Sequence, residues 1–422
     1  MHSVTNAIPT GTIASIPAKA HAHRALICAA LANSPSTILL SRTSKDIDAT
    51  MDSLRGLGAH VVYENKIVTV TPGPAPVKGN VVPHESGTTL RLLLPVAASI
   101  CNDVDVDAKG RLPDRPLEPM LGEMKAHGVI FSQDKPPFTM TGRLQGGNFS
   151  MVGDVSSQFF SGLLLAAPQI GLSTITSTTP LQSSDYVTLT TETMRDFGIE
   201  VEHTLPDTNI NEAFTVPFGT SFIGRDNYQI EGDWSNAAIW MVAAGMTGKP
   251  ITITGMNNNS VQADRRIIQV MIDAGCDVVW DRMNVTVTGR ASKPIYADLE
   301  QMPDMLPVMA ALACSISGES AFVKGARLRL KESDRLVAVA NLVRDLGGTV
   351  REEGDDLYII GSGILKGGHG DCVNDHRLVM AGTLMALISE NPITLKDSEA
   401  ITKSYPDFFE DWNLLGGNAQ PL

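Results

Sequence analysis

The stretch LRGLGAHVVYENKIVTVTP, residues 54–72, contains the pattern that decides the fold of this chain. An amphipathic segment runs to Gly58, and the residues beyond it alternate between apolar and polar side chains. Glycine is expected just after a helix, because it enters the left-handed backbone region without steric strain. Alternating β-branched residues such as Val68 and Val70 are typical of strands. The stretch therefore predicts a helix that ends at a glycine and leads into strands.

This pattern recurs along the whole chain. It returns at MKAHGVIFSQDKPPFTMTG (124–142), MRDFGIEVEHTL (194–205), MIDAGCDVVWDRMNVTVTG (271–289), VRDLGGTVREEGDDLYIIG (343–361) and, in shorter form, WNLLGG (412–417). The glycines are separated by about 70 residues, which is too long for a short-period solenoid. The 422 residues therefore contain six units of about 70 residues, each with a helix that leads into strands.

A second landmark repeats in phase with the first. Polar residues lead into Ala- and Leu-rich apolar segments near 23–26, 89–92, 157–159, 235–237, 302–314 and 376–378. Segments this apolar are expected to be buried helices, surrounded by strands and amphipathic helices. We expect an α/β (α+β) fold of two domains with three units each. The chain is expected to cross between the domains near residues 230–233.

Composition excludes several classes of function. The net charge of −13 and a pI near 5.1 disfavour binding to nucleic acid or to acidic membranes. The longest apolar runs, such as Leu92 to Ile100, are too short to cross a bilayer. Five scattered cysteines without a C-x-x-C pair indicate buried thiols in a reducing compartment. With no signal peptide visible, we expect a cytoplasmic protein.

Cations gather at the joints between the units of this acidic chain. They are Lys19, Arg24, Arg91, Lys331, Arg335, Arg377 and Lys403. Arginine suits carboxylate and phosphate because its planar fork donates two parallel hydrogen bonds, and helix N-termini also favour anions. This pattern predicts a site for an anionic small molecule. The alternatives are that each polar start is only a helix cap, and that Arg24 and Arg91 form solvated helical pairs.

Three acidic residues accompany these cations. Asp304 stands before an apolar helix and is either its N-cap or a general base. Glu332, beside Lys331, is either an acid–base group or half of a surface pair, and Asp334 completes the set. The sequence has no phosphate-binding loop, no nucleophile elbow and no zinc-protease motif. His21 and His23 alone are too few for a metal site, so we expect no metal.

Six motifs together resemble the enolpyruvyl transferase family. They are IPAKAHAHRALICAALA (16–32), ESGTTLRLLLP (85–95), GDVSSQFFSGLLLAAP (153–168), LKESDRL (330–336), NDHRLVMAG (374–382) and ITKSYPDFF (401–409). The similarity runs from about Gly11 to Phe409. It implies an inside-out α/β barrel in two domains, each built from three βαβαββ units and joined by a double crossover. The double crossover implies boundaries of 1–16 with 230–422 for domain I and 17–229 for domain II. The active site is then expected in the cleft between the domains.

The resemblance also implies an activity and its substrates. Within the shikimate branch of the family, the enolpyruvyl group of phosphoenolpyruvate is transferred to the 5-hydroxyl of shikimate 3-phosphate. Phosphate is released by addition and then elimination. The reaction belongs to the pathway to chorismate and the aromatic amino acids. It needs no cofactor, and we expect a monomer that binds only small molecules.

Site residues follow from the matching motifs. The resemblance implies that Asp304 takes the hydroxyl proton, while Glu332 or Lys19 delivers a proton to the methylene carbon. The residues implied for shikimate 3-phosphate are Lys19, Arg24, Ser156, Ser157, Gln158, Ser183, Tyr186, Asp304 and Lys331. Those implied for phosphoenolpyruvate are Lys19, Gly87, Thr88, Arg111, Gln158, Arg335, Arg377 and Lys403.

The chain departs from the family pattern at two places. Ala20 follows Lys19 where the family commonly has serine, which removes one hydroxyl contact. In the loop 110–116, Pro113 takes the place of an arginine, and Arg111 is expected to substitute for it. The UDP-N-acetylglucosamine branch of the family and a non-catalytic anion-binding paralogue remain alternatives. The SSQF, KESDR and NDHR motifs favour the shikimate branch.

Overall fold

The computed structural model describes residues 1–205 and 212–422. These residues form two compact units. Unit 1 comprises Met1–Ile16 with Glu231–Leu422, and unit 2 comprises Pro17–Ile230. The sequence-based boundary assigned residue 230 to the first domain. It instead belongs to unit 2, where its backbone N–H donates to the carbonyl oxygen of Leu39 at 3.4 Å.

Helices and strands alternate through both units. The α-helices of the described residues are α1 (Lys19–Ala30), α2 (Lys45–Gly56), α3 (Gly87–Ile100), α4 (Met120–Ala126), α5 (Ser157–Ile170), α6 (Asp185–Asp196), α7 (Trp234–Thr247), α8 (Ile267–Asp273), α9 (Leu306–Cys314), α10 (Arg335–Asp345), α11 (His376–Met385) and α12 (Phe408–Leu414).

The strands are shorter than the helices. They are β1 (His2–Thr5), β2 (Gly11–Ala14), β3 (Ser36–Leu39), β4 (His60–Glu64), β5 (Ile67–Thr71), β6 (Gly79–Val81), β7 (Asp103–Val106), β8 (Ile130–Phe131), β9 (Phe138–Thr141), β10 (Asn148–Met151), β11 (Ser173–Ser177), β12 (Glu202–Thr204), β13 (Ala213–Val216), β14 (Tyr228–Gln229), β15 (Ile251–Thr254), β16 (Asp277–Asp281), β17 (Asn284–Thr288), β18 (Tyr296–Asp298), β19 (Gly318–Val323), β20 (Thr349–Glu353), β21 (Asp356–Gly361), β22 (Gly368–Asp371), β23 (Ile393–Lys396) and β24 (Asn418–Pro421).

Each repeat contributes one four-stranded sheet. The repeat around α3 is representative, with strand order β6-β7-β9-β8. Strands β6 and β7 are parallel, with Gly79 opposite Val104, and α3 connects them. Strands β8 and β9 form an antiparallel hairpin that continues the sheet through Val104 and Met140. Parallel neighbours need a crossover of this kind, which explains why a helix always separates them along the chain.

Two strands are supplied from a distant part of the chain. In unit 1, β2 pairs in parallel with β15, so Ile13 lies opposite Ile253. In unit 2, β14 pairs in parallel with β3, so Tyr228 lies opposite Ile38. Each of these strands stands just before the chain passes from one unit to the other. The crossing chain segments thereby complete the first sheet of each unit.

The alternate helices α1, α3, α5, α7, α9 and α11 form the interior. All nine residues of α9 are buried, and each unit has one continuous apolar core. The amphipathic helices end at glycines with positive φ, for example +104° at Gly58 and +86° at Gly347. The prediction of six α/β repeats, three in each unit, is confirmed.

Two smaller expectations can also be compared with the structure. All five cysteines are free and buried, as predicted. Among the helices of the described residues, none combines the length and apolar character needed to cross a membrane.

Candidate active site

Lys19 is the first residue of α1 and lies at the meeting point of three helix starts in unit 2. Its Nζ donates to Oδ2 of Asp46 at 2.7 Å, and both side chains are mostly buried. Asp46 lies in the first turn of α2, and its carbonyl oxygen accepts a hydrogen bond from Thr89 Oγ1 in α3. The predicted lysine is therefore held by a carboxylate that no motif pointed to.

Gln158 connects the starts of α3 and α5. Its Nε2 donates to Thr88 Oγ1 at 2.8 Å, and its Oε1 accepts from Arg91 Nη1 at 3.2 Å. Ser156 is the N-cap of α5, and its Oγ accepts the backbone N–H of Gln158. Ser157, the first residue of that helix, is buried. Ser156 therefore caps α5, and its binding role stays a prediction. The amide of Gln158 joins two predicted site segments.

Gly87 begins α3 and packs directly against Arg115. A Cβ atom at residue 87 would lie 2.5 Å from Nη1 of Arg115, so only glycine allows this approach. The loop motif predicts that Arg111 supplies the cation, but Arg111 is exposed. Arg115 is the arginine that the structure brings to the helix start. The Arg-Pro pair at 115–116 was the available signal, and the role of Arg111 stays a prediction.

Arg24 lies one turn inside α1 and is only 1% exposed. Its guanidinium donates to Thr190 Oγ1, to Ser161 Oγ and to the backbone oxygens of Ala20 and Tyr186. Burial lowers the pKa of Arg24 to about 10, against the opposing influence of Tyr186 and Cys28. Arg24 thus ties α1 to α5 and α6, and it is not a solvated surface pair.

Ser183 and Tyr186 frame the start of α6. Ser183 is buried and has a φ of +54°, and Tyr186 contributes its backbone oxygen to Arg24.

The histidines of α1 have separate partners, since His21 Nε2 contacts Tyr228 Oη and His23 Nδ1 contacts Thr50 Oγ1. Burial, reinforced by the charge of Arg24, lowers the pKa of His21 to about 4.

In unit 1, Asp304 stands among three cations. Its Oδ1 accepts from Arg335 Nη1 at 2.6 Å and lies 3.4 Å from Lys331 Nζ, while Oδ2 lies 3.7 Å from Arg377 Nη2. The N-cap positions of the 3-10 helix 303–305 and of α9 are Met302 and Met305. Asp304 is therefore not a helix cap, and the carboxylate remains 23% exposed.

Asp375 lies on the inner side of the same arginine. It accepts from Arg335 Nε at 2.8 Å and from Ser333 Oγ, and it caps α11 through the N–H of Arg377. Burial is the largest influence on the pKa of Asp375 and would raise it, but the charges of Arg335 and His376, together with the hydrogen bond from Arg335, hold that pKa below its ordinary value. Burial likewise acts against the charge of Arg335, yet Asp375 and Asp304 raise its pKa overall.

Glu332 and Lys403 complete this cluster. Glu332 Oε2 lies 3.1 Å from His376 Nδ1, and Lys403 Nζ donates to the backbone oxygen of Asn374 at 2.8 Å. Glu332, Asp375 and His376 have ligand atoms close enough to hold a metal ion. Because Asp375 is already bound to Arg335 and caps α11, we interpret this group as a hydrogen-bond network.

The structure thus gathers most of the predicted residues into two clusters, one in each unit, while Ser183 and Tyr186 lie at the start of α6 and Arg111 is exposed. The unit 2 cluster joins the starts of α1, α3 and α5, and the unit 1 cluster joins the segments 303–305, 331–335, 374–377 and 403. Several contributors were not predicted from the sequence, namely Asp46, Arg115, Asp375 and His376. The last two belong to the NDHR motif, from which only the arginine was selected. Both clusters present cations at helix starts, which defines a protein built to bind small anions.

Comparisons with known proteins agree with this class. A family model described as EPSP synthase (3-phosphoshikimate 1-carboxyvinyltransferase) matches residues 7–412. The chain is 35% identical over 412 residues to a 3-phosphoshikimate 1-carboxyvinyltransferase of Clostridium kluyveri, covering 96% of this chain and 95% of the relative. It is also 35% identical over 402 residues to the protein of that name from Pyrococcus abyssi, covering 95% and 94%.

Solved structures agree with the fold. The EPSP synthase of Acinetobacter baumannii superposes with a TM-score of 0.81 over 99% of each chain, at 23% identity. A second structure of that enzyme has a TM-score of 0.80 at 22% identity, covering 100% of this chain and 99% of the other. The chain belongs to the EPSP synthase (3-phosphoshikimate 1-carboxyvinyltransferase) family.

Proposed function

We infer that this protein transfers the enolpyruvyl group of phosphoenolpyruvate to the 5-hydroxyl of shikimate 3-phosphate. The hydroxyl oxygen bonds to C2 of phosphoenolpyruvate while a proton adds to C3. The bond from C2 to the phosphate oxygen then breaks, the new methyl group loses a proton, and inorganic phosphate leaves. Family membership across residues 7–412 supports this reaction and favours it over the UDP-N-acetylglucosamine branch.

The observation that carries the mechanism is the position of Asp304 among three cations. A carboxylate that touches Arg335 and Lys331 and remains partly exposed can accept the proton of a substrate hydroxyl. We propose that Lys331 binds shikimate 3-phosphate beside it, and that Arg335, Arg377 and Lys403 bind the charged groups of phosphoenolpyruvate. Preorganised cations of this kind stabilise the extra negative charge that develops in the transition state.

The unit 2 residues are proposed to serve the same reaction. Lys19 is proposed to contact both substrates, while Ser156, Ser157, Ser183 and Tyr186 surround shikimate 3-phosphate together with Arg24. Gln158, Thr88 and Gly87 are proposed to contact phosphoenolpyruvate. The contact between Arg115 and Gly87 supports adding Arg115 to this group, with Arg111 in the same loop.

The second proton transfer needs a group that can donate to carbon. We propose Glu332, whose carboxylate is in contact with the His376 ring, with Lys19 as the alternative donor.

We further propose that the protein is a cytoplasmic monomer. Its five buried free cysteines support a reducing compartment, and light scattering on the purified protein measures its mass in solution.

Phosphate release from phosphoenolpyruvate tests the proposed function. Purified protein is assayed with shikimate 3-phosphate and, in parallel, with UDP-N-acetylglucosamine. Release with shikimate 3-phosphate alone is the expected result. Release with the nucleotide sugar alone would assign the protein to the other branch, and release with neither would favour a non-catalytic anion-binding role.

A further inference from the structure

Asp264 is a buried carboxylate beside the unit 1 cluster, and the mechanism assigns it no task. It lies in the 3-10 helix Ala263–Arg266 and is 1% exposed. Ser235 Oγ donates a hydrogen bond to its Oδ2, which fixes the carboxylate beside the start of α7. The neighbouring backbone oxygen of Ser235 accepts from Arg377 Nη1 at 3.4 Å. Asp264 therefore sits behind the arginine proposed to bind phosphoenolpyruvate.

Charged groups face Asp264 from every element around it. Asp233 stands at the N-cap of α7, Asp304 lies in the 3-10 helix 303–305, and Arg377 comes from α11. Arg265 and Arg266 follow on its own element. Burial, with the charge of Asp304 as the next contribution, raises the pKa of Asp264 to about 6, while Arg377 and Ser235 act in the opposite direction.

Arg377 is shared between two carboxylates. Its charge is stabilised by Asp304 and by Asp264, and its Nη2 lies 3.7 Å from Asp304. Its Nε is buried and donates to no atom of residues 1–205 or 212–422. The Nε–H group of Arg377 can thus donate a hydrogen bond to a bound anion, but the negative charge of Asp264 repels that anion.

The charges around Arg377 point the same way. Two carboxylates, Asp304 and Asp264, act on the charge of this one arginine. A dianionic phosphate binds there more favourably if one carboxylate becomes neutral, because isolated charge is costly in a buried site.

We propose that Asp264 is a positioning residue that takes up one proton when phosphoenolpyruvate binds at Arg377, which leaves the guanidinium charge available to the substrate. The proton comes from solvent and returns to it when phosphate leaves. The hydrogen bond from Ser235 holds the carboxylate in place through both steps. This inference rests on the proposed function, in which Arg377 contacts phosphoenolpyruvate.

The test is the KM for phosphoenolpyruvate between pH 5.5 and 8.5 at saturating shikimate 3-phosphate. If binding requires one proton to be taken up, KM rises above pH 6 by up to about tenfold per pH unit. This rise comes in addition to any effect of ionisation of phosphoenolpyruvate itself. Asp264→Asn keeps an acceptor for Ser235 but cannot ionise, so its KM lacks this extra slope while kcat keeps the wild-type profile. Ser235→Ala keeps the carboxylate and therefore keeps the slope.

A purely structural role gives a different result. If Asp264→Asn changes KM by the same factor at every pH, the proposal is overturned. If that variant does not fold, calorimetry of phosphoenolpyruvate binding to wild type in two buffers of different ionisation enthalpy decides. Proton uptake at pH 7 that disappears near pH 5.5 supports the proposal, and no uptake overturns it. If the wild-type protein releases no phosphate from phosphoenolpyruvate with shikimate 3-phosphate, the proposed function itself is contradicted.

Discussion

Arg335 bridges two carboxylates, donating through Nη1 to Asp304 and through Nε to Asp375. The two acids differ in access to solvent, since the side chain of Asp304 is 23% exposed and that of Asp375 is fully buried. One arginine thus separates a carboxylate that can meet a substrate from one that holds the site together. The two aspartates, Asp304 and Asp375, therefore have different roles, one in catalysis and one in stability, and mutation can distinguish them.

Asp304→Asn should abolish most turnover without unfolding the protein. The amide keeps the shape of the side chain but cannot take the hydroxyl proton, and loss of a positioned base lowers kcat by about 10²–10⁴-fold. Phosphate release gives kcat, and the melting temperature controls for folding. Turnover equal to wild type would remove Asp304 from the catalytic residues.

Asp375→Asn should act mainly on stability. Removing the fully buried partner leaves Arg335 with only the partly exposed Asp304, and loss of one partner of a buried ion pair costs up to about 3–5 kcal/mol. The matched control is Asp298→Asn, whose partner Lys324 forms an exposed pair worth about 0–1 kcal/mol. Urea unfolding measures both variants. Equal free energies of unfolding for the two would contradict the structural role of Asp375.

Asp46→Asn should reduce kcat more than it affects KM. The carboxylate holds Lys19 at the helix start, and a hydrogen bond between charged groups is worth about 1.5–3 kcal/mol, so kcat should fall about 10–100-fold. KM should change less, because Lys19 keeps its charge and removal of the nearby carboxylate favours anion binding. Asp105→Asn, which breaks the exposed pair with Lys78, is the control. A kcat for Asp46→Asn that matches this control would show that Lys19 needs no such support.

Gly87→Ala should weaken phosphoenolpyruvate binding selectively. The new methyl group would overlap the Arg115 guanidinium, so that side chain must move away from the helix start. We expect KM for phosphoenolpyruvate to rise about tenfold or more, since a charged hydrogen bond is lost, with little change in KM for shikimate 3-phosphate. Gly122→Ala, within α4, meets only the end of the Glu118 side chain and serves as the control. An unchanged KM for Gly87→Ala would exclude Arg115 from the site.

The repeats were predictable because local chemistry determines them. Glycines such as Gly128 and Gly275 must adopt positive φ where an amphipathic helix ends, and the sequence marks each one. The pairing of β2 with β15 and of β14 with β3 was not predictable from local chemistry, because the paired segments lie about 190 or more residues apart. Only the double crossover implied by the family resemblance pointed to it.

The site was predictable in residue type but only partly in its contacts. Motifs identified Asp304, Lys331 and Arg335, which lie together in the structure. The partner of Lys19 is 27 residues away on another helix, and only the fold brings Asp46 to it. Arg115 reaches Gly87 in the same manner, from a loop that follows the next strand.

The most direct test of the proposed reaction follows the hydrogens of the vinyl group. Addition and elimination pass through a transient methyl group, so a reaction run in heavy water with phosphoenolpyruvate and shikimate 3-phosphate should place deuterium on the vinyl methylene of the product. Proton and phosphorus NMR should show this product forming in step with inorganic phosphate, and Asp304→Asn should form neither. No product, or a product free of deuterium, would contradict enolpyruvyl transfer by this route.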